Sequence, residues 1–461
     1  MYLIIPQNLD LNELVTSVLD IAPNRLNKLT EKLAYICHCL YHAMSEKCNQ
    51  ILEKDEKWFP LYSPLLQSVS RDYSYEIRLL VQMGVIEQDK IYIVGKSSRK
   101  YRFTEKYSGQ DYKWIKVNDF QFRKTINKAR RIFKATMKAN TRGYSFLTRW
   151  FDENRLTIDV NGAKCWIDSY KQQLFDEQKD NGFSDARINN IAVGAKLCVE
   201  KIHEGDFRYN FDDNGRRFHT NLTNLKKELR RFIRLDGEAL TSIDLKNSQP
   251  YLALKLFDPK FWSLEGQGRV RMNQIDLKGY NHIINNKRVY RGIIMLVKEA
   301  EIYTGKGFQP SYSNLVCSGE FYEYLINELG QRFPDRFGNR ELAKKEVLRI
   351  MYMNPNNENW RFYAPCKGYK ERFPSEYNLF GLIKSDDYKL LPRILQRLER
   401  YLIIDCICRG ISKEIPEAPI FTIHDSIVTT KANVESVKMW MKTVFEIEIG
   451  HPPMLAIETW D

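Results

Sequence analysis

The sequence predicts an α+β fold that is divided among several domains. Its 461 residues exceed one ordinary domain and suffice for about three. Apolar residues recur at helical spacing through most of the N-terminal part, whereas short β-branched runs and turns begin after the middle helices. A helical pattern from Leu390 to about Cys408 then leads into a strand pair around Asp425. We therefore expect mainly helical domains first and a sheet-bearing domain last.

Composition favours a protein that binds a polyanion. The formal net charge is +13, with 43% hydrophobic and 13% aromatic residues, so there is enough apolar material for sizeable cores. Nucleic acid is a better partner for this charge than a membrane. No apolar stretch has membrane-spanning length, and the start, Met1–Pro6, is too short for a signal peptide. We expect a monomer located inside the cell, cytoplasmic or nucleoid-associated.

The nine cysteines are scattered and form no paired zinc pattern. Cys37-His38-Cys39 has the wrong spacing for a zinc knuckle. The cysteines are therefore expected to be buried, reduced thiols.

Residues 1–115 read as a small helical domain that ends in a hairpin. Two short apolar patterns, at 65–69 and 75–81, precede Gly84 and resemble a helix-turn-helix. The runs 91–94 and 101–103 flank a basic tip and resemble the wing of a winged helix. Nucleic-acid contact by the second helix and the wing is one interpretation. A packing or partner-binding module is equally compatible with the pattern.

Residues 116–212 continue as helices and include a strongly basic run. The segment 123–142 holds eight Lys and Arg residues and no acidic one. Ile126, Ile132, Phe133 and Met137 give it a partial apolar face. Such a helix can lie along a phosphate backbone, although a solvated charged face is the simpler interpretation.

Two carboxylates lie where short apolar runs break into polar residues. Asp244 follows Ser242-Ile243, and Asp425 follows Ile420–His424. A carboxylate at a strand end is held firmly yet can face a cleft. Two of them on adjacent strands can hold divalent metal ions roughly 3.5–4 Å apart, the arrangement used for in-line displacement at phosphorus.

The segment 340–352 is predicted to be a helix that Asn339 caps and Asn354-Pro355 ends. Arg340, Lys344, Leu348 and Tyr352 are spaced four apart, so they follow one another along one face. The helix should rise roughly 18 Å at about 1.5 Å per residue. That length suffices to line a whole nucleoside triphosphate.

These segments, in this order, resemble motifs of the superfamily of family A DNA polymerases and phage-type single-subunit RNA polymerases. Asp244-Leu245-Lys246-Asn247-Ser248-Gln249 resembles the first palm motif. His424-Asp425-Ser426 resembles the third, and Arg340–Tyr352 resembles the Arg-x3-Lys-x7-Tyr fingers helix, with Met353 where the family usually has Gly. Gly215–Leu225 is similar to the segment that holds the primer–template.

The resemblance implies a right-hand polymerase with an antiparallel palm sheet, helical fingers and a helical thumb. The winged-helix-like domain would span 1–115 and the thumb-like region 116–212. The palm would be split between 213–257 and 386–461, with the fingers at 258–385 between its two parts.

The resemblance also implies residue roles. Asp244, Asp425 and the backbone carbonyl of Leu245 would hold two Mg²⁺ ions, for which Mn²⁺ can substitute. Further roles are implied for two sets of residues. Arg340 and Lys344 would grip the triphosphate, Lys344 would also protonate the pyrophosphate, Leu348 would lie beside the base and sugar, and Tyr352 would close the base end. Arg217, His424, Arg230 and Arg231 would contact the primer–template.

Sugar choice in this superfamily depends partly on the residue five after the first Asp. Family A DNA polymerases usually carry Glu there and the RNA polymerases carry Gly, whereas this chain has Gln249. Its bulk favours deoxynucleotides, while its amide can also hydrogen-bond a hydroxyl. Ser426, in the third motif, is the RNA polymerase choice.

The sequence thus predicts a template-directed DNA polymerase that extends a 3′-hydroxyl with dNTPs. Two alternatives stay open. One is a single-subunit RNA polymerase or primase-like enzyme, and the other is an inactive nucleic-acid-binding protein with a degenerate palm.

Overall fold

The computed structural model describes residues 1–46, 58–90, 98–213, 215–263, 269–275, 286–303, 311–354, 357 and 363–461. The chain forms two compact units. The first comprises Met1–Asn210, His219–Ala239 and Trp460–Asp461, and the second comprises Phe211–Phe218 and Leu240–Thr459. Both units combine helices with antiparallel strand pairs, so the predicted mixed class of helix and sheet is confirmed. The finer predicted boundaries, between 1–115 and 116–212 and between palm and fingers, lie inside these units and stay predictions.

The first unit is mainly helical. Its α-helices span Leu11–Val18, Pro23–Ser45, Ser63–Val69, Tyr73–Gln82, Phe120–Asn140, Ser145–Thr148, Val160–Asp176, Gln178–Asn181, Asp185–His203 and Asn221–Asn224, followed by a 3-10 helix at Lys227–Phe232. Its strands span Tyr2–Pro6, Phe59–Pro60, Ile86–Gln88, Lys100–Phe103, Tyr112–Lys116, Leu156–Ile158 and Ile233–Leu235. The strands Tyr209–Phe211, Phe218–Thr220 and Glu238–Leu245 each contain a boundary between the units.

The two short helices predicted in the N-terminal segment are present at Ser63–Val69 and Tyr73–Gln82. Gly84, with φ 67°, closes the second of them, because only glycine adopts this conformation without strain. Strand Lys100–Phe103 pairs antiparallel with Ile86–Gln88. The predicted wing strand 91–94 and half of the tip, residues 95–97, lie outside the described residues, so the winged-helix interpretation stays a prediction.

The basic helix of the middle segment spans Phe120–Asn140. Asp119 caps it by accepting a hydrogen bond from the backbone N–H of Phe122 at 2.7 Å. Its buried face carries Phe122, Ile126, Ala129 and Met137. The predicted apolar face is therefore wrong in part. Two of its members, Ile132 and Phe133, are exposed, because tertiary packing covers Phe122, Ile126, Ala129 and Met137 and leaves these two side chains open to solvent.

The second unit holds the predicted sheet. Its strands are Glu238–Leu245, Phe421–Ile423, Ser426–Thr430 and Leu455–Thr459. Its α-helices span Ser248–Leu252, Lys287–Tyr303, Tyr312–Ser318, Phe321–Leu329, Pro334–Phe337, Arg340–Tyr352, Ala364–Arg372, Pro374–Ile383, Leu390–Arg400, Arg409–Glu414 and Val434–Ile449. Short 3-10 helices lie at Ala253–Phe257, Pro259–Trp262, Met272–Gln274 and Lys431–Asn433.

The strands of this unit pair antiparallel in the order Phe421–Ile423, Ser426–Thr430, Glu238–Leu245 and Leu455–Thr459. Successive residues of a strand point to opposite faces, and directly paired residues share a face. One face therefore carries Asp244 with Ser426. The other carries Ile243 and Ile427, both fully buried. The alternation of side chains thus separates the face that carries Asp244 from the face that packs into the hydrophobic core.

The core of the second unit includes the helix Val434–Ile449, which contacts strand Ser426–Thr430. Phe445 is fully buried and meets the ring of Tyr251 edge-on, with centroids 5.7 Å apart. The Tyr251 hydroxyl donates to the carbonyl of His451 at 2.6 Å. These contacts hold the segment after Asp244 against the helix behind the sheet.

The long helix predicted from Leu390 begins there, but it changes geometry. Regular α-helix ends at Arg400, and wider π-helical turns continue through Tyr401–Cys408. π-Helical turns are rare and often accompany functional sites. Buried Glu399 lies two residues before the first π-helical residue, Tyr401.

The carboxyl group of Glu376 should make the stability of the protein depend on pH. Burial raises the pKa of Glu376 to about 7. Because the folded-state pKa lies above the ordinary value, the stabilisation of the protonated form is complete below pH ~4.3 and is lost as pH rises through 7. Between pH 5 and pH 8, the free energy of unfolding should fall by about 1–3 kcal/mol more in the wild type than in Glu376→Gln.

Urea denaturation at both pH values measures this difference. Glu371→Gln, which changes an exposed carboxylate, is the control and should behave like the wild type. Parallel losses in the wild type and in Glu376→Gln would contradict the shifted pKa.

The cysteines of the described residues are free thiols. Cys37, Cys198, Cys366 and Cys408 are buried as predicted. The prediction is wrong for Cys165, which is exposed because it points away from the buried stripe of its helix. Cys48 lies outside the described residues.

Across the described ranges, no helix combines the length and the apolar character that crossing a membrane requires.

Candidate active site

The end of the sheet brings the two predicted carboxylates together. Asp244 lies directly opposite Ser426 in the strand register. Asp425 is the residue before Ser426 and belongs to the two-residue turn between Phe421–Ile423 and Ser426–Thr430. The first residue of that turn, His424, has φ 55°. A non-glycine residue in this left-handed conformation carries strain, which is often found at functional sites.

Two serine hydroxyls orient the carboxylate of Asp244. Ser242 Oγ donates to Oδ2 of Asp244 at 2.8 Å. Ser426 Oγ donates to Oδ1. Each carboxylate oxygen thus has one fixed donor and keeps lone pairs for a further ligand. Ser426, noted in the sequence for sugar type, acts in this structure as a cross-strand support for Asp244.

The environment of Asp425 is unusual for a carboxylate. Burial raises its pKa, and the nearby negative charge of Asp244 raises it further. A hydrogen bond from Ser248 and the positive charge of Lys344 act in the opposite direction. The charges of Asp244 and Lys344 and the hydroxyl of Ser248 therefore all act on Asp425. Two neighbouring carboxylates repel each other, which raises the pKa of one of them, and a bound cation relieves this repulsion.

This pair fits a hard divalent cation. Among the described residues, no group of three or more His, Cys, Asp or Glu side chains is arranged to hold a metal. Mg²⁺, however, is often held by one or two carboxylates, with water and substrate phosphates completing its shell. Asp244 and Asp425 supply such oxygens, and Leu245, whose backbone carbonyl is the third predicted ligand, directly follows Asp244 in sequence. The repulsion between the carboxylates is the feature that a bound cation would relieve.

The predicted nucleotide helix spans Arg340–Tyr352, and Asn339 caps it by accepting from the N–H of Leu342 at 3.0 Å. Its buried face carries Ala343, Glu346, Val347, Ile350 and Met351. The residues spaced four apart lie off that face. Arg340 and Lys344 are exposed, while Leu348 and Tyr352 are half-buried. The helix ends at Tyr352 even though Met353 replaces the family's usual Gly.

Arg340 is engaged by neighbours from the helix Phe321–Leu329. Its guanidinium donates to Oε1 of Glu323 and lies 5.3 Å from the ring centroid of Tyr322. Burial raises the pKa of Tyr322, Arg340 opposes the rise, and the charge of Asp425 adds to it. Tyr322 is therefore near both Arg340 and Asp425. A triphosphate on this helix would compete with Glu323 for the guanidinium.

If the helix binds a nucleoside triphosphate, as the sequence predicts, removing Glu323 should improve that binding. We expect Glu323→Gln to lower KM for the nucleoside triphosphate by up to about fivefold, because an exposed ion pair contributes at most ~1 kcal/mol. Steady-state kinetics measures the change. Glu328→Gln, on the same helix but paired with Arg372, is the control. A KM that stays constant or rises in Glu323→Gln would contradict the competition.

A buried polar network joins four segments of the second unit. Arg217 donates from Nε to Oε1 of Glu399 at 2.9 Å and from Nη2 to Oε2 at 3.0 Å. Gln249 donates from Nε2 to Oε2 of Glu399. The Tyr352 hydroxyl donates to Oε1 of Gln249 at 2.6 Å. Gln249 and the helix tyrosine are thus joined by a direct hydrogen bond.

The remaining residues that are predicted to contact the primer–template belong to both units. His424 is exposed at the turn beside Asp425. Arg230 and Arg231 belong to the first unit. Their guanidinium carbons lie 5.8 Å from the ring centroid of Trp460 and 5.0 Å from that of Phe232, respectively. Their contact with a primer–template stays a prediction.

Sequence reasoning missed Glu399, Tyr322 and Ser242. A signal existed for Glu399, since it interrupts the apolar stripe Leu391, Leu395, Leu398 and Leu402 of one helix. A charged residue on such a face is either paired or costly. Its partner Arg217 is 182 positions away, and no local pattern indicates that pairing.

No protein-family model and no curated protein matches this sequence. Among solved structures, the chain is similar to the "POL domain of Pol1 from M. smegmatis complex with DNA primer-template and dNTP". The two are 11% identical, the match covers 99% of this chain and 79% of that chain, and the TM-score is 0.28. A likeness this distant carries no functional argument, so function must be argued from the chain's own residues.

Proposed function

We propose that this chain is a template-directed DNA polymerase that adds deoxynucleotides to a primer 3′-hydroxyl. The supporting observation is the juxtaposition of Asp244, Asp425 and Lys344. Two carboxylates that repel each other lie within electrostatic reach of an exposed lysine from a helix long enough to line a triphosphate. This combination suits phosphoryl transfer better than it suits a purely structural role, because a structural carboxylate pair gains nothing from the repulsion.

The chemistry needs positioning and charge neutralisation more than covalent help. Mg²⁺ ions held by Asp244, Asp425 and the carbonyl of Leu245 would supply activation of the 3′-hydroxyl and neutralisation of the pyrophosphate charge. Ser242 and Ser426 keep the Asp244 carboxylate in one orientation. The protein thereby avoids reorganising that group during the reaction.

The helix Arg340–Tyr352 supplies the nucleotide contacts. Arg340, once released from Glu323, and Lys344 bind the phosphates, and Lys344 gives a proton to the departing pyrophosphate. Leu348 contacts the sugar and base, and Tyr352 lies at the base end. Lys344 has a second effect, because its positive charge favours the ionised form of Asp425.

The primer end would be held by His424 and Arg217, with Arg230 and Arg231 on the nucleic-acid backbone. Arg217 is close enough to Asp425 for that carboxylate to raise the pKa of its guanidinium. It therefore lies near the proposed reaction centre, although its guanidinium already donates two hydrogen bonds to Glu399.

Deoxynucleotide selection rests on Gln249. Its side chain is buried, and its amide is engaged at both ends, by Glu399 and by the Tyr352 hydroxyl. A fixed, bulky pair of side chains is better suited to excluding a 2′-hydroxyl than to binding one. The RNA polymerases that the chain resembles carry Gly at this position, which leaves space for a 2′-hydroxyl.

Primer extension tests the proposal. The full chain is incubated with Mg²⁺ and a primer on DNA or RNA template, with dNTPs and NTPs in parallel. Extension with dNTPs on DNA template is the expected result. Extension with NTPs alone would favour the RNA polymerase alternative, and incorporation of nothing would overturn the enzyme assignment.

A further inference from the structure

Glu399 is the most buried member of the Arg217–Glu399–Gln249–Tyr352 network. Its side chain is 2% exposed, whereas that of its ion-pair partner Arg217 is 26% exposed. Burial and the nearby charge of Asp425 raise the pKa of Glu399 to about 7, although the charge of Arg217 and the hydrogen bonds from Arg217 and Gln249 act in the opposite direction. Charged groups in such positions are retained only where their hydrogen bonds are satisfied. Three N–H donors fulfil this condition here.

The hydrogen-bond donors of this network determine how each side chain in it is oriented. An ionised carboxylate accepts hydrogen bonds and donates none. Gln249 must therefore turn its NH₂ group toward Glu399 and its carbonyl toward Tyr352. The tyrosine hydroxyl then donates its only hydrogen to Gln249. The orientation of the Tyr352 ring is thus fixed, through Gln249, by the charge on Glu399.

We infer that Glu399 is a specificity-determining positioning residue, which fixes the Gln249–Tyr352 pair in the orientation that rejects a ribose 2′-hydroxyl. This inference rests on the proposed polymerase function. Glu399 itself touches neither substrate nor metal. It acts through Gln249, and its partner Arg217 links the pair to the neighbourhood of Asp425.

A purely structural role makes a different prediction. If Glu399 only neutralised Arg217, its loss would slow the incorporation of dNTPs and NTPs by the same factor. If Glu399 holds Gln249 in place, the loss of Glu399 changes the ratio of dNTP to NTP incorporation. The dNTP/NTP ratio of kcat/KM is therefore the informative quantity.

The test compares the wild type with Glu399→Gln, Gln249→Ala and the double variant on one primer–template. Glutamine keeps the shape of Glu399 but offers one acceptor oxygen for three donors. The dNTP/NTP ratio should fall about tenfold or more in Glu399→Gln, the range expected for losing a charge-assisted hydrogen bond. The double variant should match Gln249→Ala alone, because Glu399 acts through Gln249.

Asp387→Asn is the matched control, since it breaks an ion pair with Arg393 on the same helix at 2.9 Å without touching the network. Its ratio should equal that of the wild type. If Glu399→Gln does not fold, Glu399→Asp keeps the charge but shortens the reach, and it should lower the ratio in the same direction.

The results separate the inference from the proposed function. An active wild type with an unchanged ratio in the Glu399 variants, or with additive effects in the double variant, would overturn the inference and leave the polymerase intact. A wild type that incorporates neither kind of nucleotide would overturn both.

Discussion

Replacing Asp244 or Asp425 by asparagine should reduce nucleotide incorporation by about a thousandfold or more. Asparagine keeps the shape of each side chain but removes the charge that would hold divalent cations. Losing several kcal/mol of transition-state stabilisation corresponds to a rate loss of about this size. Single-turnover incorporation of one dNTP measures the loss.

The two variants should differ in stability. Burial and the charge of Asp244 both raise the pKa of Asp425, so a neutral residue at 425 removes an unfavourable interaction. We expect the thermal unfolding midpoint of Asp425→Asn to equal or exceed that of the wild type. Asp335→Asn, an exposed change, is the activity control. Near-wild-type rates in both Asp244→Asn and Asp425→Asn would reject the assigned site.

Lys344→Gln should lower kcat/KM for the incoming nucleotide by about a hundredfold. Lys344 is the exposed cation whose charge acts on Asp425, and charge stabilisation by one such group is worth about 3 kcal/mol in a reacting site. Because the side chain is exposed and lies off the buried face of its helix, folding should be unaffected.

The adjacent Lys345→Gln supplies the matched control. Lys345 is exposed and pairs with Glu341 on its own helix, so it presents the same charge in a different direction. Its kcat/KM should stay within about twofold of the wild type, the effect of a surface ion pair. Equal losses in the two lysine variants would indicate a general effect of charge and contradict a specific role for Lys344.

The local parts of the site were predictable from the sequence. The helix Arg340–Tyr352 has a cap, a repeat of four and a clear end, so its bounds follow from short-range rules. The strands around Asp244 and Asp425 likewise follow from β-branched runs. Their pairing was inferred from a family resemblance, and the register Asp244–Ser426 is present in the structure.

The parts that escaped prediction are long-range contacts. Glu323 on Arg340 and Glu399 on Arg217 join residues 17 and 182 positions apart. The sequence around Glu323 is compatible with a solvated charge, and the apolar stripe around Glu399 indicates a buried partner without identifying it. The face of the basic helix was misjudged at Ile132 and Phe133 for a related reason. Tertiary packing, rather than the helix pattern alone, decides which of several apolar residues is buried.

Templated addition of a single nucleotide tests the central claim most directly. Four primer–templates that differ only in the templating base are each offered one dNTP at a time in the presence of Mg²⁺. The account predicts that the full chain adds only the complementary nucleotide and that Asp244→Asn adds none at a comparable rate. Addition that ignores the templating base, or no addition by the wild type, would contradict a template-directed polymerase.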